Sequence, residues 1–424
     1  MKLRIEKAIY GGAGLARADG KAIFVPFTLP GEVVEVHITE DRASYASAGL
    51  DNVLAASPAR VSPPCPYFGE CGGCHYQQAG YAEQVEMKVQ ILRETLERAH
   101  LTEIPAIAVV QGEPLGYRNR IRLHVDRASS MLCYKRRGSH ANLPVDVCPI
   151  AAAALEGALK TVQSNSKQWL GTSFDEMEFF TNAEQSSILL TLWSSREAKA
   201  AQEDLRQLWP QLVNAIPEIV GAAVLSSERG KQTGTVLAQT GEQALVYKAA
   251  GHDYRVGLGS FFQVNRFLID ALVDLVVAER SGERAWDLYA GVGLFAHALA
   301  SRFEQVVAVE SAASSIRDLR RNLNGGPHRV VASSTLDFLR RAGRQTSPDF
   351  VVVDPPRAGL GNEVAKLLGK IRPEHITYVS CDPATLSRDL KSLLDSGYHL
   401  KNMHMVDLFP QTFHLESVAM LSLG

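Results

Sequence analysis

The sequence lacks several features that would place it in other protein classes. No apolar stretch is long enough to span a membrane, and residues 1–7 lack the apolar segment of a signal peptide. Both absences predict a cytoplasmic protein without a membrane partner. An excess of one charge is also missing: the formal net charge is −2, which argues against a uniformly basic nucleic-acid binder but permits a local basic face. Six cysteines are unlikely to form a disulfide framework in the cytosol, so clustered cysteines indicate metal binding or catalysis.

A length of 424 residues with 46% hydrophobic and 21% charged residues predicts two or three domains. Short strands with Gly/Pro turns over residues 1–56 predict a small OB-like β-barrel. Residues 57–255 predict an α+β central domain, including a helix over 79–100 whose apolar stripe is interrupted by Lys88. From residue 256 to 424, strands near 285–289, 305–310, 328–332, 350–354, 375–380, 400–406 and 417–423 alternate with helices. This alternation predicts an α/β, Rossmann-like domain with a parallel sheet.

The loop after the first of these strands has the form of a cofactor site. Gly291-Val292-Gly293 lets a backbone approach a ligand, and Glu310 ends the next strand, where an acid can accept ribose hydroxyls. A dinucleotide, as in an NAD-type oxidoreductase, and S-adenosylmethionine both fit this pattern. Asp287 favours the sulfonium of S-adenosylmethionine, because a carboxylate would repel a pyrophosphate. A buried turn with a helix-capping acid is the alternative without a ligand.

Cys381 follows a later strand and therefore lies at the same sheet edge, where open α/β sheets bind ligands. A thiolate there can add to C6 of uracil and convert C5 into a carbon nucleophile, after which a base removes the C5 proton. Glu416, just before the last strand, is the candidate base. Asp354 is a candidate to orient the base or contact the cofactor, and Arg357 to stabilise enolate oxygen or contact a phosphate. A packed thiol and a solvated turn acid are the structural alternatives for Cys381 and Glu416.

Four segments together resemble the RNA 5-methyluridine methyltransferase family. They are 354–360 (DPPRAGL), 380–389 (SCDPATLSRD), 414–418 (HLESV) and 261–265 (FFQVN). The resemblance covers essentially the whole chain and implies a class I methyltransferase domain, with Cys381 as nucleophile and Glu416 as base. It also implies that the S-adenosylmethionine site is lined by Gln263, Tyr289, Gly291, Glu310 and Asp354. The chain departs from the family at Ala290, and Ser334, Thr335 and Asp337 compete for one further cofactor contact.

Three cysteines lie close together in the sequence, Cys65, Cys71 and Cys74, and Cys148 offers a distant fourth thiol. Four thiolates suit Zn²⁺ or an iron–sulfur cluster, and the spacing fits a cubane better than a zinc knuckle. The resemblance to the large-subunit rRNA members of the family implies a structural [4Fe–4S] cluster. Cys133 is interpreted as a packed thiol.

RNA is the expected partner, and DNA is not. Basic residues alternate along 116–123 and recur at 134–137, a pattern that suits phosphate contacts and base stacking but also a solvated face. The amino-terminal barrel resembles a TRAM domain, an RNA-binding module. We expect methylation of a single-stranded or loop uridine in large-subunit rRNA, by a monomer. The alternatives are the same reaction on tRNA and a non-catalytic RNA-binding assembly factor.

Overall fold

The computed structural model describes residues 1–101, 103–170, 173–227, 234–278, 280–342 and 347–424. The amino-terminal segment forms a six-stranded sheet in the order β1-β5-β6-β4-β3-β2. Its strands other than β2 share one apolar cluster, because alternate side chains such as Val34 and Val36 are buried. A ladder between β1 and β2, which would close the predicted barrel, is not among the strand pairings of the described residues. The strands are β1 (Lys2–Arg4), β2 (Lys7–Ile9), β3 (Ala13–Ala18), β4 (Lys21–Pro26), β5 (Val33–Asp41) and β6 (Tyr45–Ala55).

The next two elements in the sequence, a helix and a strand, pack on the carboxyl-terminal sheet and extend it, respectively. The predicted helix is confirmed as α1 (Tyr81–Arg98), and strand β7 (Ile107–Val110) comes after it. Val85, Leu92 and Leu96 bury the apolar stripe of α1 in the core of that sheet. Strand β7 extends the edge of the same sheet.

The central segment has a seven-stranded sheet of its own, in the order β10-β9-β8-β11-β12-β13-β14, with a separate apolar core. Its strands are β8 (Arg120–Asp126), β9 (Met131–Lys135), β10 (Asn142–Pro144), β11 (Glu176–Thr181), β12 (Ile188–Ser194), β13 (Ile219–Ser226) and β14 (Val236–Gly241). Its helices are α2 (Ala153–Ser164), α3 (Ser166–Trp169) and α4 (Ala198–Ala215). A hairpin of β15 (Ala244–Ala249) and β16 (His252–Gly257) then packs into the core of the carboxyl-terminal sheet. The predicted domain limits at residues 56 and 255 stay predictions.

The carboxyl-terminal sheet has eight strands in the order β19-β18-β17-β20-β21-β23-β22-β7. The first five in this order run parallel, and β23 is antiparallel to both its neighbours. The predicted fold class is thereby confirmed. Its strands are β17 (Gly282–Leu288), β18 (Phe303–Glu310), β19 (Arg329–Ala332), β20 (Phe350–Val353), β21 (His375–Ser380), β22 (Tyr398–Val406) and β23 (Glu416–Leu423). Its helices are α5 (Ile269–Val277), α6 (Leu294–Ala300), α7 (Ala313–Asn322), α8 (Thr335–Ala342), α9 (Gly361–Ile371) and α10 (Pro383–Leu394). None of the described helices has the length and apolar composition that a membrane crossing requires.

Candidate active site

The loop between β17 and α6 turns sharply at the carboxyl edge of the sheet. Tyr289, Gly291 and Gly293 all have positive φ, at 67°, 56° and 94°. A side chain at Gly293 would place its Cβ 2.7 Å from Leu319, so glycine is required there both for the backbone conformation and for space. No atom lies within 4 Å of a Cβ built on Gly291. The loop therefore leaves open space on the side where a ligand would approach.

Glu310, at the end of β18, holds this loop in place. Its Oε2 accepts a hydrogen bond from the Gly291 amide at 2.8 Å, and its Oε1 accepts from the amides of Ser311 at 2.7 Å and Ala312 at 2.6 Å. A carboxylate oxygen has about two acceptor sites, so Oε2 retains one for a ligand hydroxyl, whereas the two amides occupy those of Oε1. The predicted pairing of an acid with the glycine loop is thus present in the geometry.

The sequence suggested that Asp287 faces the ligand, but its side chain is not exposed to this space. It is fully buried, and its Oδ2 accepts a hydrogen bond from the Ala296 amide at 2.8 Å, in the first turn of α6. Burial raises its pKa to about 8. The alternative of a buried, helix-capping acid therefore describes the contacts of Asp287, and the charges of Asp354 and Glu310 raise its pKa further.

Gln263 and Asp354 meet across the site from different parts of the chain. The side-chain amide of buried Gln263 donates to Asp354 Oδ2 at 3.4 Å, and its backbone carbonyl accepts from Asn119 at 2.9 Å. Burial raises the pKa of Asp354 to about 7, while the hydrogen bond from Gln263 opposes that shift. Asp354 directly follows β20, so its carboxyl lies at the same sheet edge as the glycine loop.

Cys381 lies between β21 and α10. Pro383 begins α10, and Asp382 caps it by accepting hydrogen bonds on Oδ1 from the amides of Ala384 at 3.0 Å and Thr385 at 2.9 Å. This cap fixes the backbone immediately after the thiol. Cys381 is half-buried, so the alternative of an inert core thiol does not describe it.

Glu416 begins β23, whose neighbour in the sheet is β21, so its carboxyl lies close to the thiol. Burial, followed by the charges of Glu416 and Asp354, raises the pKa of Cys381 to about 12, whereas Arg357 lowers it. Glu416 is almost fully buried, and burial together with the Asp354 charge raises its own pKa far above the ordinary range. Burial and neighbouring negative charge therefore disfavour the ionised forms of both the thiol and the carboxyl in the free protein.

The loop that carries Arg357 is held by α10. The Thr385 hydroxyl donates to the Arg357 carbonyl at 3.2 Å, and Asp389 accepts from the Leu360 amide at 2.7 Å. The Arg357 guanidinium, which is exposed to solvent, donates to His414 at 3.3 Å. Burial and the Arg357 charge lower the pKa of His414 to about 3, so this imidazole is neutral and accepts the bond.

The three competitors for a further cofactor contact remain undecided. Ser334 is exposed. Its hydroxyl donates to the Asp337 carboxylate at 2.7 Å and accepts a hydrogen bond from the Asp337 backbone amide at 3.1 Å. These two side chains satisfy each other at the start of α8. Thr335 is buried and contacts the Tyr289 hydroxyl.

The four predicted metal-ligating cysteines line one cavity of about 360 Å³ between the 65–74 segment and β9. Burial raises the pKa of all four thiols, that of Cys74 to about 12. The charges of neighbouring thiols add to the rise for Cys71, Cys74 and Cys148. Yet the described residues include no group of three or more His, Cys, Asp or Glu side chains arranged to hold a single metal ion. A single Zn²⁺ would need its thiolates about 4 Å apart, since Zn–S bonds are about 2.3 Å long. The predicted packed thiol, Cys133, is fully buried and does not line the cavity.

The expected cationic face on residues 116–123 is not free. Arg118 is half-buried and lines the cysteine cavity. Arg120 and Arg122 pair with Glu178 and Glu176 on the neighbouring strand β11. Their charges are thus partly compensated within the sheet, and both interpretations of the basic pattern, an RNA contact and a solvated face, stay predictions.

Comparison with known proteins identifies the family. The family model described as tRNA (uracil-5-)-methyltransferase matches residues 80–328 and 344–423, and the TRAM domain model matches residues 1–50. The chain belongs to the tRNA (uracil-5-)-methyltransferase family. It is therefore an enzyme, and the methyltransferase resemblance found in the sequence is confirmed.

Relatives in this uracil-5 methyltransferase family match along the full chain. An uncharacterized RNA methyltransferase of Aquifex aeolicus is 31% identical, over 99% of this chain and 98% of its own. The 23S rRNA (uracil(1939)-C(5))-methyltransferase RlmD of Shewanella amazonensis is 32% identical, over 99% of this chain and 95% of its own. Among solved structures, Pyrococcus abyssi tRNA (uracil-54, C5)-methyltransferase in complex with S-adenosyl-L-homocysteine has a TM-score of 0.79 at 25% identity, covering 99% and 100% of the two chains.

Sequence reasoning missed a wall of aromatic side chains beside the thiol of this methyltransferase. The Phe413 ring contacts three others, those of Tyr10, His75 and His414, with centroid separations of 5.5, 4.6 and 4.3 Å respectively. They come from three segments far apart in sequence. Only His414 lies inside a recognised motif, so no local pattern could have grouped them.

Proposed function

We propose that this methyltransferase transfers a methyl group from S-adenosylmethionine to C5 of a uracil in RNA, through a transient bond between Cys381 and C6. The observation that carries the proposal is the meeting of Cys381, Glu416 and Asp354 at one sheet edge. Burial raises the pKa of each, and the Asp354 charge raises that of the other two further. Strongly shifted groups that converge at a ligand edge are typical of catalytic sites. The open glycine loop, with Glu310 behind it, supports donor binding at the same edge.

Each proposed role follows from the chemistry of uracil. Addition of the Cys381 thiolate to C6 moves the electron pair of the C5–C6 double bond into an enolate. C5 can then form a bond to the methyl group, while the donor loses that group with its bonding electrons retained on sulfur. The Glu416 carboxylate removes the C5 proton, the double bond re-forms, and the thiolate leaves C6. Arg357 supplies positive charge near the developing enolate.

The raised pKa values require a trigger for ionisation, and the donor supplies one when bound. Its sulfonium carries a positive charge, and a positive charge close to acidic groups lowers their pKa. Gln263, Tyr289, Gly291, Glu310 and Asp354 are the residues we propose to hold the donor. Of this set, Asp354 is the residue whose charge raises the pKa of both Cys381 and Glu416.

Large-subunit rRNA is the proposed substrate. Support comes from the RlmD relatives and from the match to the TRAM domain model over residues 1–50. The tRNA-modifying neighbour from Pyrococcus abyssi makes tRNA the second candidate. Mapping 5-methyluridine in total RNA from cells with and without this protein separates the two. Loss of the nucleoside from tRNA alone would overturn the rRNA assignment.

The covalent step is tested with RNA that carries 5-fluorouridine. Fluorine at C5 cannot be removed as a proton, so the adduct should persist on a denaturing gel. Cys381→Ala should give no adduct and no methylation while retaining donor binding. Cys133→Ala, which removes a buried thiol outside the site, is the matched control and should form the adduct. Methylation by Cys381→Ala at the reference rate would exclude the covalent mechanism.

We also propose that Cys65, Cys71, Cys74 and Cys148 hold a [4Fe–4S] cluster. All four line one cavity, and buried neighbouring thiolates need cationic compensation. Three thiols in a short glycine- and proline-rich segment with one distant fourth suit a cubane, in which each thiolate binds a different iron, better than a zinc knuckle. Protein prepared without oxygen should be brown and contain about four irons per chain. Colourless protein with one zinc per chain would contradict the assignment.

A further inference from the structure

The amino-terminal sheet reaches the active site through the turn between β2 and β3. The Tyr10 hydroxyl in this turn donates to Asp382 Oδ2 at 3.3 Å, across 372 residues of sequence. Asp382 directly follows Cys381, and its other oxygen caps α10. The Asp382 carboxylate thus links the amino-terminal sheet, through Tyr10, to the start of α10 and to the backbone next to Cys381.

The ring of Tyr10 makes a second contact with the site. It lies edge-on to Phe413, with centroids 5.5 Å apart and planes at 88°. Phe413 packs on His414 at 4.3 Å, in the loop that leads to Glu416. The turn is also close-packed: a Cβ on Gly12 would lie 3.0 Å from the ring of His75. Tyr10 is therefore held by packing between the loops that carry Cys381 and Glu416.

We propose that Tyr10 is a positioning residue of the methyl-transfer site, which holds Asp382, and through it the Cys381 backbone, from the amino-terminal sheet. This inference rests on the proposed role of Cys381. It gives the amino-terminal sheet a part in the chemical step, in addition to any part in binding RNA. No motif of the sequence marks Tyr10 for such a role.

The hydroxyl acts on the thiol by partly balancing the charge of Asp382. Without it, Asp382 Oδ2 loses this donor and the adjacent thiolate becomes harder to form. The other charged groups that face Cys381 are Glu416 and Asp354, which oppose ionisation, and Arg357, which favours it. All three side chains are retained when the Tyr10 hydroxyl alone is removed, so a change in thiol reactivity would report on that hydroxyl.

The test compares Tyr10→Phe with Tyr45→Phe. Tyr45 lies in the same sheet, is exposed, and packs on Phe24 away from the site. Two quantities are measured: methyl transfer with its kcat and KM for RNA, and alkylation of the Cys381 peptide by iodoacetamide across pH, read by mass spectrometry. For Tyr10→Phe we expect kcat to fall about tenfold, the usual range for one hydrogen bond to a charged group, with KM within about twofold. We expect the midpoint of the alkylation profile to rise by about 0.5 pH units, which makes alkylation below the midpoint about threefold slower.

The outcomes separate this inference from the proposed function. A Tyr10→Phe protein with the kcat and alkylation profile of Tyr45→Phe would overturn the role of Tyr10 and leave the function of Cys381 intact. A raised KM with unchanged kcat and alkylation would make Tyr10 an RNA contact and would equally overturn it. Loss of ring packing is tested by Tyr10→Leu, which should lower kcat further than Tyr10→Phe. Full methylation by Cys381→Ala would instead remove the proposed function itself.

Discussion

The buried ion pair between α1 and the loop over residues 407–415 gives a quantitative prediction. The Lys88 ammonium, which is fully buried, lies 2.6 Å from Asp407 Oδ1 and 2.9 Å from the Phe409 carbonyl oxygen. Asp407 is also fully buried, so Lys88→Met leaves a carboxylate without its cation. Breaking one side of such a pair costs about 3–5 kcal/mol. The free energy that keeps this loop closed on α1 should fall by that amount. The equilibrium constant for opening should therefore rise by about two to four orders of magnitude.

Amide hydrogen exchange of individual peptides measures this opening locally. In Lys88→Met, amides of α1 and of residues 400–415 should exchange at least about 100-fold faster, because the opening free energy falls by at least about 3 kcal/mol. Arg340→Met is the matched control, since it removes an ion pair with Glu363 at 2.6 Å whose side chains are about half exposed. A surface pair contributes up to about 1 kcal/mol, so exchange there should change less than about fivefold.

The double variant Lys88→Met/Asp407→Asn isolates the charge from the lost packing. With both charges gone, no ion is left buried and unpaired, and at least about half of the lost protection should return. Exchange in the single variant within about fivefold of the reference protein would refute the reasoning. A double variant as unstable as the sum of its single changes would refute it equally.

Three further predictions concern the carboxyl groups. Glu416→Gln should methylate RNA once and then accumulate a covalent adduct on a denaturing gel, because no base removes the C5 proton; a variant that turns over without adduct would exclude this role. Asp354→Asn, assayed at saturating donor, should move the midpoint of the pH–rate profile to lower pH, because removing its negative charge favours ionised Glu416; a shift to higher pH would contradict the coupling. Binding of S-adenosylmethionine near pH 7 should release protons, because its charge lowers the pKa of Asp354 from about 7; S-adenosylhomocysteine should release fewer. Calorimetry in buffers of different ionisation enthalpy measures this, and equal release for both ligands would contradict it.

The sequence predicts the carboxyl-terminal sheet well because its central strands are buried on both faces. Such strands are continuous apolar runs, and their loops carry the chemistry, as at Cys381. The predicted limits of β18 and β21 fall within two residues of the observed ones. The sequence also marks Lys88 as an exception in an apolar stripe. Only the structure supplies its reason, because Asp407 lies 319 residues away.

Contacts between distant segments account for what the sequence could not show. Strand β7 has four residues, and its partner β22 lies almost 300 residues further along the chain. The sequence could not show that the Asp287 carboxyl is buried and accepts a hydrogen bond from the first turn of α6. The acids that pair with Arg120 and Arg122 lie on β11, 58 and 54 residues further along the chain, so no local pattern shows these ion pairs. Local patterns specify elements, whereas tertiary packing decides which charges remain available.

The position of β7 at the edge of the carboxyl-terminal sheet has a consequence for synthesis on the ribosome. The chain emerges from its amino terminus, so α1 and β7 are made long before their partners in β22 and β23. Until then the apolar stripe of α1 and an unpaired strand are open to other chains, and such surfaces promote aggregation. Nascent chains halted near residue 250 should therefore bind a holdase chaperone through residues 81–110, and release it once the last strand has emerged.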